Sequence, residues 1–464
     1  MAAYEPPKVL ISGAGLGGLF LAILLEKAGI PYHIYERAAA IKPLGAALAL
    51  NANILPVFEQ LGLLEDIAKF SYKCSSLDVY KESLKPIGAI DISDYAEKTG
   101  YDTYIFHRAE LYALLLSRIP EEKISLNKKV VWVLQNNEGV MIRTSDNETY
   151  HGDILVGADG AYSGVRQNLY KDLISKNLLP QSDAEGLKMG HICMVGTTNP
   201  LDPAEFSGLA DEKCHFSTII GQGTAHTWTT TTLPNNRISF FAVEQLDEKA
   251  AKDAAFRNSE WGPEANEKMV KKIYDFPIKH GKGKVLGNLI DATPPELISK
   301  VFLEEKIFET WYHGRTVLIG DACHKMQPSA GQGAVNAMED AVVLANCLYD
   351  ISGGKQEVTA EMITGVFEEY YSQRFPYAKY HVEYSSNLSK ILAGQKLSER
   401  MLRAIIYNLP KWIMAKSIMK QAGYRPQITF LPMIVPPKGL SVVPQKPSKR
   451  YLAEQEAEKQ AVAV

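Results

Sequence analysis

The run Lys8-Val-Leu-Ile-Ser12 is short and apolar and predicts a buried strand. Leu16 to Ala28 is then apolar all round and predicts a helix ending at Gly29, a residue suited to the left-handed position after a helix. Pro31 to Glu36 contains Tyr-His-Ile-Tyr and predicts a second strand, which completes a βαβ unit. Val9 to Leu25 carries no charge and by hydropathy alone would pass for a signal peptide or short membrane span. Ser12, Gly13, Gly15, Gly17 and Gly18 inside it favour a turn instead.

Further along, Asn53–Leu64 predicts a helix ending near Gly62, and Tyr72–Asp91 predicts paired strands. Arg108–Ile119 has Leu111, Leu114, Leu115 and Ile119 at helical spacing. Three strand-like runs lie between Ile124 and Ile154. Residues 186–245 are β-rich (Gly190–Thr198, His215–Gly221, Thr224–Leu233, Arg237–Val243), with Pro234-Asn235-Asn236 as a hairpin connection. Residues 247–300 read as mostly helical, and Thr316–Ile319 predicts a strand feeding a helix from about Gly333 to Tyr349. The chain stays helical to about residue 424, and from 436 it turns Pro- and charge-rich, which predicts an extended or disordered tail.

With 464 residues, 46% hydrophobic and 22% charged, the chain is a globular protein of about three structural units, not a disordered, collagen-like or coiled-coil one. A net charge of −3 gives no basis for nucleic-acid binding. Cys74, Cys193, Cys214, Cys323 and Cys347 are odd in number, widely spaced and without a CxxC pair. That argues against a disulfide scaffold or a metal site and for a reducing, cytoplasmic location. The average charge hides a local excess. Between residues 390 and 420, seven cations (Lys390, Lys396, Arg400, Arg403, Lys411, Lys416, Lys420) face one acid, Glu399. Leu402, Ile405, Ile406, Leu409, Trp412 and Ile413 recur there at helical spacing, with a break expected at Pro410. Such a stretch suits peripheral contact with an anionic membrane surface, or a helix packed on the body of the protein with a solvated basic rim.

Three motifs carry the chemistry. Gly13-Ala14-Gly15-Leu16-Gly17-Gly18 is a G-x-G-x-x-G between strand and helix. Its first glycine permits the tight turn, its second lets backbone approach a pyrophosphate, and its third lets the helix pack close to the strand. Glu36 closes the next strand, where a carboxylate can accept ribose hydroxyls. Second, the apolar strand before Gly157-Ala158-Asp159-Gly160 ends in an Asp-Gly turn followed by Ser163 and Arg166. Third, Thr316-Val-Leu-Ile-Gly320-Asp321 ends in Gly-Asp, and Pro328, Gly331, Gln332, Gly333 and Ala334 lead into a helix.

In this order, the motifs resemble the single-component FAD-dependent monooxygenases with the para-hydroxybenzoate hydroxylase fold, over residues 8 to about 350. The wording from Trp311 to Met326, and less specifically Tyr424-Arg-Pro-Gln427 with Phe430-Leu-Pro432, is most similar to fungal members. The resemblance implies an α/β chain: a Rossmann-type FAD-binding domain (GR2-like) with a β-sheet substrate domain inserted and a helical C-terminal region. The FAD-binding domain would comprise 1–71, 100–185 and 301–355, and the substrate domain 72–99 and 186–300. A helical region, 356–435, and the tail, 436–464, would follow.

It also implies roles. Gly13, Gly15 and Gly18 would cradle the ADP pyrophosphate, and Glu36 would hold the adenosine ribose. Arg108 would reach the FAD phosphate and ribitol, Asp159 would serve FAD and NAD(P)H, and Asp321 would bind the flavin ribitol. Gly45 and Ala46 would pass beside the isoalloxazine. Gly331, Gly333 and Ala334 would offer backbone N–H groups to the pyrimidine, where a helix N-terminus favours the charge of reduced flavin. Ser163 and Arg166 would orient local structure.

The chemistry so implied is reduction of FAD by transiently bound NAD(P)H, addition of O2 to give a flavin C4a-hydroperoxide, and insertion of one oxygen atom into a small aromatic or lipophilic substrate by hydroxylation or epoxidation. His324 and Gln332, inside the third motif, are candidates for lining the site. In the β-rich roof His191, His215, Gln222, His226, Trp228 and Arg237 are possible substrate contacts, and Gln222, His226 and Trp228 are the three singled out. Alternation puts His226 and Trp228 on one face of their strand and Thr227 and Thr229 on the other. A flavin halogenase would carry Trp-x-Trp-x-Ile-Pro, which Trp132, Trp228, Trp261, Trp311 and Trp412 do not supply. A flavin-dependent reductase of prenyl chains and a non-catalytic flavin-binding protein remain alternatives.

Overall fold

A computed structural model describes residues 5–40, 45–247, 251, 263–353, 357–393, 397–409, 411–435 and 442–462. The βαβ unit forms as its apolar pattern dictates: strand Val9–Ser12, helix Leu16–Ala28 and strand Tyr32–Tyr35. Gly29 closes the helix in the left-handed conformation at φ 67°. Val9–Ser12 is central in a six-stranded sheet ordered Tyr312–His313, Thr316–Leu318, Ile154–Gly157, Val9–Ser12, Tyr32–Tyr35, Ile124–Ser125. All pairings are parallel except that of the edge strand Tyr312–His313. A parallel sheet is covered on both faces, which is why Val9–Ser12 and Ile154–Gly157 are buried throughout. Helices Leu16–Ala28 and Gly333–Ile351 pack so closely that a Cβ on Gly17 would lie 3.2 Å from that of Ala337.

The second sheet has eight strands in the order His324–Lys325, Ser299–Ile307, Lys188–Thr197, Arg237–Gln245, His226–Leu233, Phe216–Ile220, Ser76–Lys81, Pro86–Asp91. The predicted hairpin forms with the three-residue connection Pro234-Asn235-Asn236, in which Asn235 and Asn236 take positive φ (63° and 55°), a backbone that asparagine tolerates. One face of this sheet is sealed by helices Pro263–Ile273 and Leu286–Asp291, over a core that includes Trp228, Ile238, Phe240, Met269 and Leu286. The other face looks toward the domain of the six-stranded sheet and helix Ala360–Ala393.

Three details differ from the sequence reading. The boundary placed at 300/301 cuts through strand Ser299–Ile307, which pairs with Lys188–Val195 and belongs to the roof. Motif order locates the Gly-Asp turn and its strand Thr316–Leu318 but says nothing of the longer strand upstream. The helix expected over Asn53–Leu64 is two short ones, Leu55–Gln60 and Leu64–Lys69, interrupted where Gly62 takes φ 70°. Of the helical stretch expected over 247–300, residues 248–250 and 252–262 lie outside the described residues.

The tail expected to be extended or disordered contains a helix, Lys449–Val462. Arg450 caps the C-terminal turn of helix Gly333–Ile351 by donating to the Tyr349 carbonyl (2.6 Å) with its guanidinium over the Tyr349 ring, and Ser448 Oγ donates to Asp350 (2.5 Å). Composition misled because few residues make the contact while the rest of the helix is polar and solvated. Residues 436–441 lie outside the described set. No described helix is long and apolar enough to cross a membrane.

Truncation before Ser448 is expected to lower the thermal midpoint, since it uncovers Tyr349 and Asp350. Arg450→Ala alone should account for about 1 kcal/mol of that loss. Calorimetry of both variants checks this, and unchanged midpoints would return the tail to the unstructured reading.

Candidate active site

The fingerprint glycines divide their work. Gly13 sits at φ 107°, where a Cβ would lie 2.5 Å from the Ala158 carbonyl oxygen, and a Cβ on Gly18 would lie 2.1 Å from that of Gly13. These two are demanded by the chain's own packing. At Gly15 nothing lies within 4 Å of an added Cβ, and this glycine borders an open cleft. The second strand delivers Glu36 to the turn: its carboxylate accepts the N–H groups of Ala14 and Ala38, both at 2.8 Å. Each oxygen keeps lone-pair capacity for a sugar hydroxyl.

The cleft encloses about 500 Å3 between the fingerprint turn, strand Ala47–Leu50, the Gly-Asp turn and the start of helix Gly333–Ile351. Gly15, Arg108, Asp321, Gly331, Gly333 and Ala334 all border it. Gly331, left-handed at φ 64°, turns the chain into that helix so that its N-terminal end meets the cleft, a favourable place for negative charge. Asp321 pairs with Lys325 (2.5 Å). Burial lowers the Arg108 pKa, and Asp321 acts in the opposite direction. Gly45, at φ 135°, lets the Arg108 side chain lie across it, since a Cβ there would be 3.0 Å from Arg108 Cδ. The cleft wall itself is Ala47 to Ala49, just beyond Gly45 and Ala46.

Asp159 does not border the cleft, although its neighbours Ala158 and Gly160 do. One of its oxygens accepts the N–H groups of Gly164 (2.7 Å) and Val165 (3.1 Å) at the start of helix Gly164–Ser175. The other is buried without a partner among the described residues, and burial raises the carboxyl pKa. Ser163 caps the same helix through the Arg166 N–H (2.9 Å), and the Arg166 guanidinium reaches the Ala322 carbonyl (2.8 Å), tying the Asp-Gly and Gly-Asp segments together.

His324 and Gln332 do not border the cleft. His324 is buried behind it, with Nε2 2.6 Å from Asp340 and its ring against Trp311. Asp340 also accepts the Gly320 N–H (2.8 Å) and pairs with Arg374 Nε (2.7 Å), while Arg374 meets Glu339 (2.7 Å) and Asn336 Oδ1 (2.9 Å). Burial opposes charge on Asp340, but His324 and Arg374 hold its pKa at about 2. Burial dominates at Glu339 and raises it to about 7. Cys323, His324 and Asp340 place ligand-type atoms within 4.8 Å of one another, a cluster not visible in their spacing. Asp340 is already engaged by three partners, so the cluster reads as part of this network. Gln332 is buried at the N-cap of helix Gly333–Ile351.

An apolar chamber under the roof shares Leu303 and Pro328 with the cleft. Its walls include Val79, Phe216, Thr227, Thr229, Phe241 and Val243 from the sheet, Leu388 and Leu392 from helix Ala360–Ala393, and Tyr407 from helix Leu397–Tyr407. The Thr227 and Thr229 face is therefore the inner one. Trp228 is fully buried on the opposite face, donating to the Pro277 carbonyl (2.8 Å) and packed on Phe276, with His226 beside the same ring. Gln222 is in an exposed turn. The three singled-out substrate contacts are thus all away from the chamber. His191 alone of the roof histidines lines it.

The FAD binding domain family matches residues 7–183 and 212–383, and the chain belongs to that family. Within it the chain is a single-component FAD-dependent monooxygenase, most similar to fungal members. It is 28% identical over 436 residues to the FAD-dependent monooxygenase atmM of Aspergillus flavus, covering 92% of this chain and 87% of that one. It is 30% identical over 379 residues to the FAD-dependent monooxygenase ptmM of Penicillium ochrochloron, covering 79% and 85%. Klebsiella pneumoniae HpxO, solved with FAD and uric acid, has the same fold at TM-score 0.71 and 22% identity, over 90% of this chain and 97% of that one.

The glycines offer a paired test. Gly18→Ala should cost about 3 kcal/mol of stability because the new methyl meets backbone. Gly15→Ala should change stability by no more than about 0.5 kcal/mol yet weaken FAD retention about tenfold, because its methyl enters only the cleft. Calorimetry beside flavin absorbance of the purified variants separates the two. Equal loss of stability in both would remove the division of labour.

Proposed function

We propose that the chain binds FAD in the cleft, accepts reducing equivalents from transiently bound NAD(P)H, and inserts one atom of O2 into a lipophilic substrate bearing a hydrogen-bonding group. Oxygen-transfer chemistry is what FAD would supply when bound. The protein's residues hold, orient and exclude. Gly15 leaves room for a pyrophosphate, Glu36 presents acceptors for a ribose, and Asp321 and Arg108 flank the middle of the cleft. Gly331, Gly333 and Ala334 bring a helix N-terminus to the end where negative charge would collect. Asp159 supports the reading indirectly, by fixing the turn beside Gly13.

The observation that carries the substrate assignment is His191 in the apolar chamber. The ring is buried, and neither nitrogen has a hydrogen-bond partner among the described residues. Burial, and secondarily Lys390, lower its pKa to about 4, so it is neutral at pH 7. A neutral imidazole can donate from one nitrogen and accept at the other. A substrate hydroxyl, carbonyl or ring N–H would supply the missing partner, while Phe216, Phe241, Leu303, Leu388 and Leu392 surround the remainder. Those walls also keep water from the reacting centre. Hydroxylation and epoxidation fit this chamber equally.

The direct check is oxygen uptake by the purified yellow protein, coupled to NADPH or NADH oxidation and stimulated by phenolic or indolic lipophiles. Alkene reduction without oxygen uptake would replace the reading with a prenyl-chain reductase. A second check uses pH. His191, His280 and His381 all have folded pKa values near 4, below the ordinary 6.5, chiefly through burial. Their neutral forms are favoured by folding, so this stability is present above about pH 6.5 and is lost as pH falls toward 4. At pH 5 each imidazole should cost about 2 kcal/mol. Melting curves at pH 7 and pH 5 should show the drop, and His191→Leu should make it smaller. A slope unchanged by that substitution would mean His191 titrates normally.

A further inference from the structure

Helix Leu397–Tyr407 has two apolar sides. Its inner side is accounted for. Tyr407 lines the substrate chamber and packs on Gly88, where a Cβ would lie about 3 Å from the ring. Arg403 donates to the carbonyls of Ile391 (3.4 Å) and Leu392 (3.2 Å), closing the end of helix Ala360–Ala393. On the outer side Met401 (59% exposed) and its neighbour Leu402 (45%) stand in water, with Ile405 (56%) one helical turn beyond them. Three large apolar side chains exposed together on one helix mark an interaction surface rather than chance.

Charge identifies the partner. Residues 390–420 carry six more cations than acids, and Lys390, Lys416 and Lys420 are exposed. A helix of 11 residues is too short to span a bilayer but suits its interface, with its apolar side chains in the acyl boundary and the exposed lysines of the helices before and after it available to the headgroups. The neighbouring chamber is itself apolar, as required of an enzyme whose substrate partitions into lipid.

We propose that helix Leu397–Tyr407 docks the protein on an anionic lipid surface and thereby places the chamber wall formed by Tyr407, Leu388 and Leu392 next to the membrane. Docking is independent of turnover, so its failure is distinguishable from failure of the oxygenation reading.

The test is flotation of the full-length, FAD-loaded protein with phosphatidylcholine vesicles, with and without about 30% phosphatidylserine, at roughly 0.1 M and 0.5 M salt. Binding to the anionic vesicles is expected to be about tenfold stronger than to neutral ones and to fall with salt. The double substitution Leu402→Ser, Ile405→Ser should weaken it about tenfold with flavin content and circular dichroism unchanged. Lys416→Glu with Lys420→Glu should weaken anionic binding without touching the apolar face. Absence of wild-type binding, or binding indifferent to both variants, would overturn the proposal. So would light scattering in which the Leu402, Ile405 variant converts a wild-type dimer into a monomer, because the face would then join two copies of the chain.

Discussion

The architecture of the site hangs on one buried guanidinium. Arg374, on helix Ala360–Ala393, is fully withdrawn from water between Glu339 and Asp340. Asp340 passes the constraint on by accepting the Gly320 N–H and binding His324, so the turn presenting Asp321 is fixed by the same cluster. The helix whose N-terminus reaches the cleft and the helix whose far end walls the chamber are therefore held in register by one ionic contact. A buried ion pair adds little net stability compared with well-packed apolar residues, whereas removing one partner costs about 3–5 kcal/mol. What such a pair supplies is a single arrangement, and cofactor and substrate walls have to agree on one. The long helix is as much a part of the active site as the Rossmann unit, although it carries none of the three motifs.

The cofactor end was legible because its constraints are short-ranged. Gly18 is required by the carbonyl of nearby Gly13, and Gly13 and Gly29 by their own positive φ, so the local sequence records them, although Gly13 also meets Ala158 of the second motif. Gly331 and the start of the helix after it announce themselves in the same way. Glu36 was placed correctly at the end of its strand, but its bonds to Ala14 and Ala38 show it also bracing the turn, which no spacing rule states. His324 shows the limit. Its position two residues after Ala322 said only that it is near Asp321, while Asp340 and Trp311 decided which way it faces.

The substrate end was illegible for a different reason. Strand His226–Leu233 is covered on both faces, by helices on one and the chamber on the other, so alternation divides its residues without saying which side is inside. Threonine suits either environment, so residue types alone leave the inner face of the strand open. The other walls come from far along the chain, Leu388, Leu392 and Tyr407, and only tertiary packing brings them together. The Ser299–Ile307 strand was misassigned in the same manner, by partners more than a hundred residues away.

This asymmetry bears on what relatives can teach. HpxO keeps the fold at TM-score 0.71 with 22% identity, so what is common is backbone geometry. A cleft assembled from glycine sterics, backbone N–H groups and a helix terminus depends mainly on that geometry, and its cofactor follows from the fold. A chamber assembled from side chains does not. The substrate has to be inferred from this chain's own walls, and there the imidazole of His191 is buried with both nitrogens unpartnered among the described residues. An unsatisfied buried polar atom costs about 1–3 kcal/mol, so that ring discriminates in favour of a ligand with a hydrogen-bonding group at that point and against an isosteric hydrocarbon.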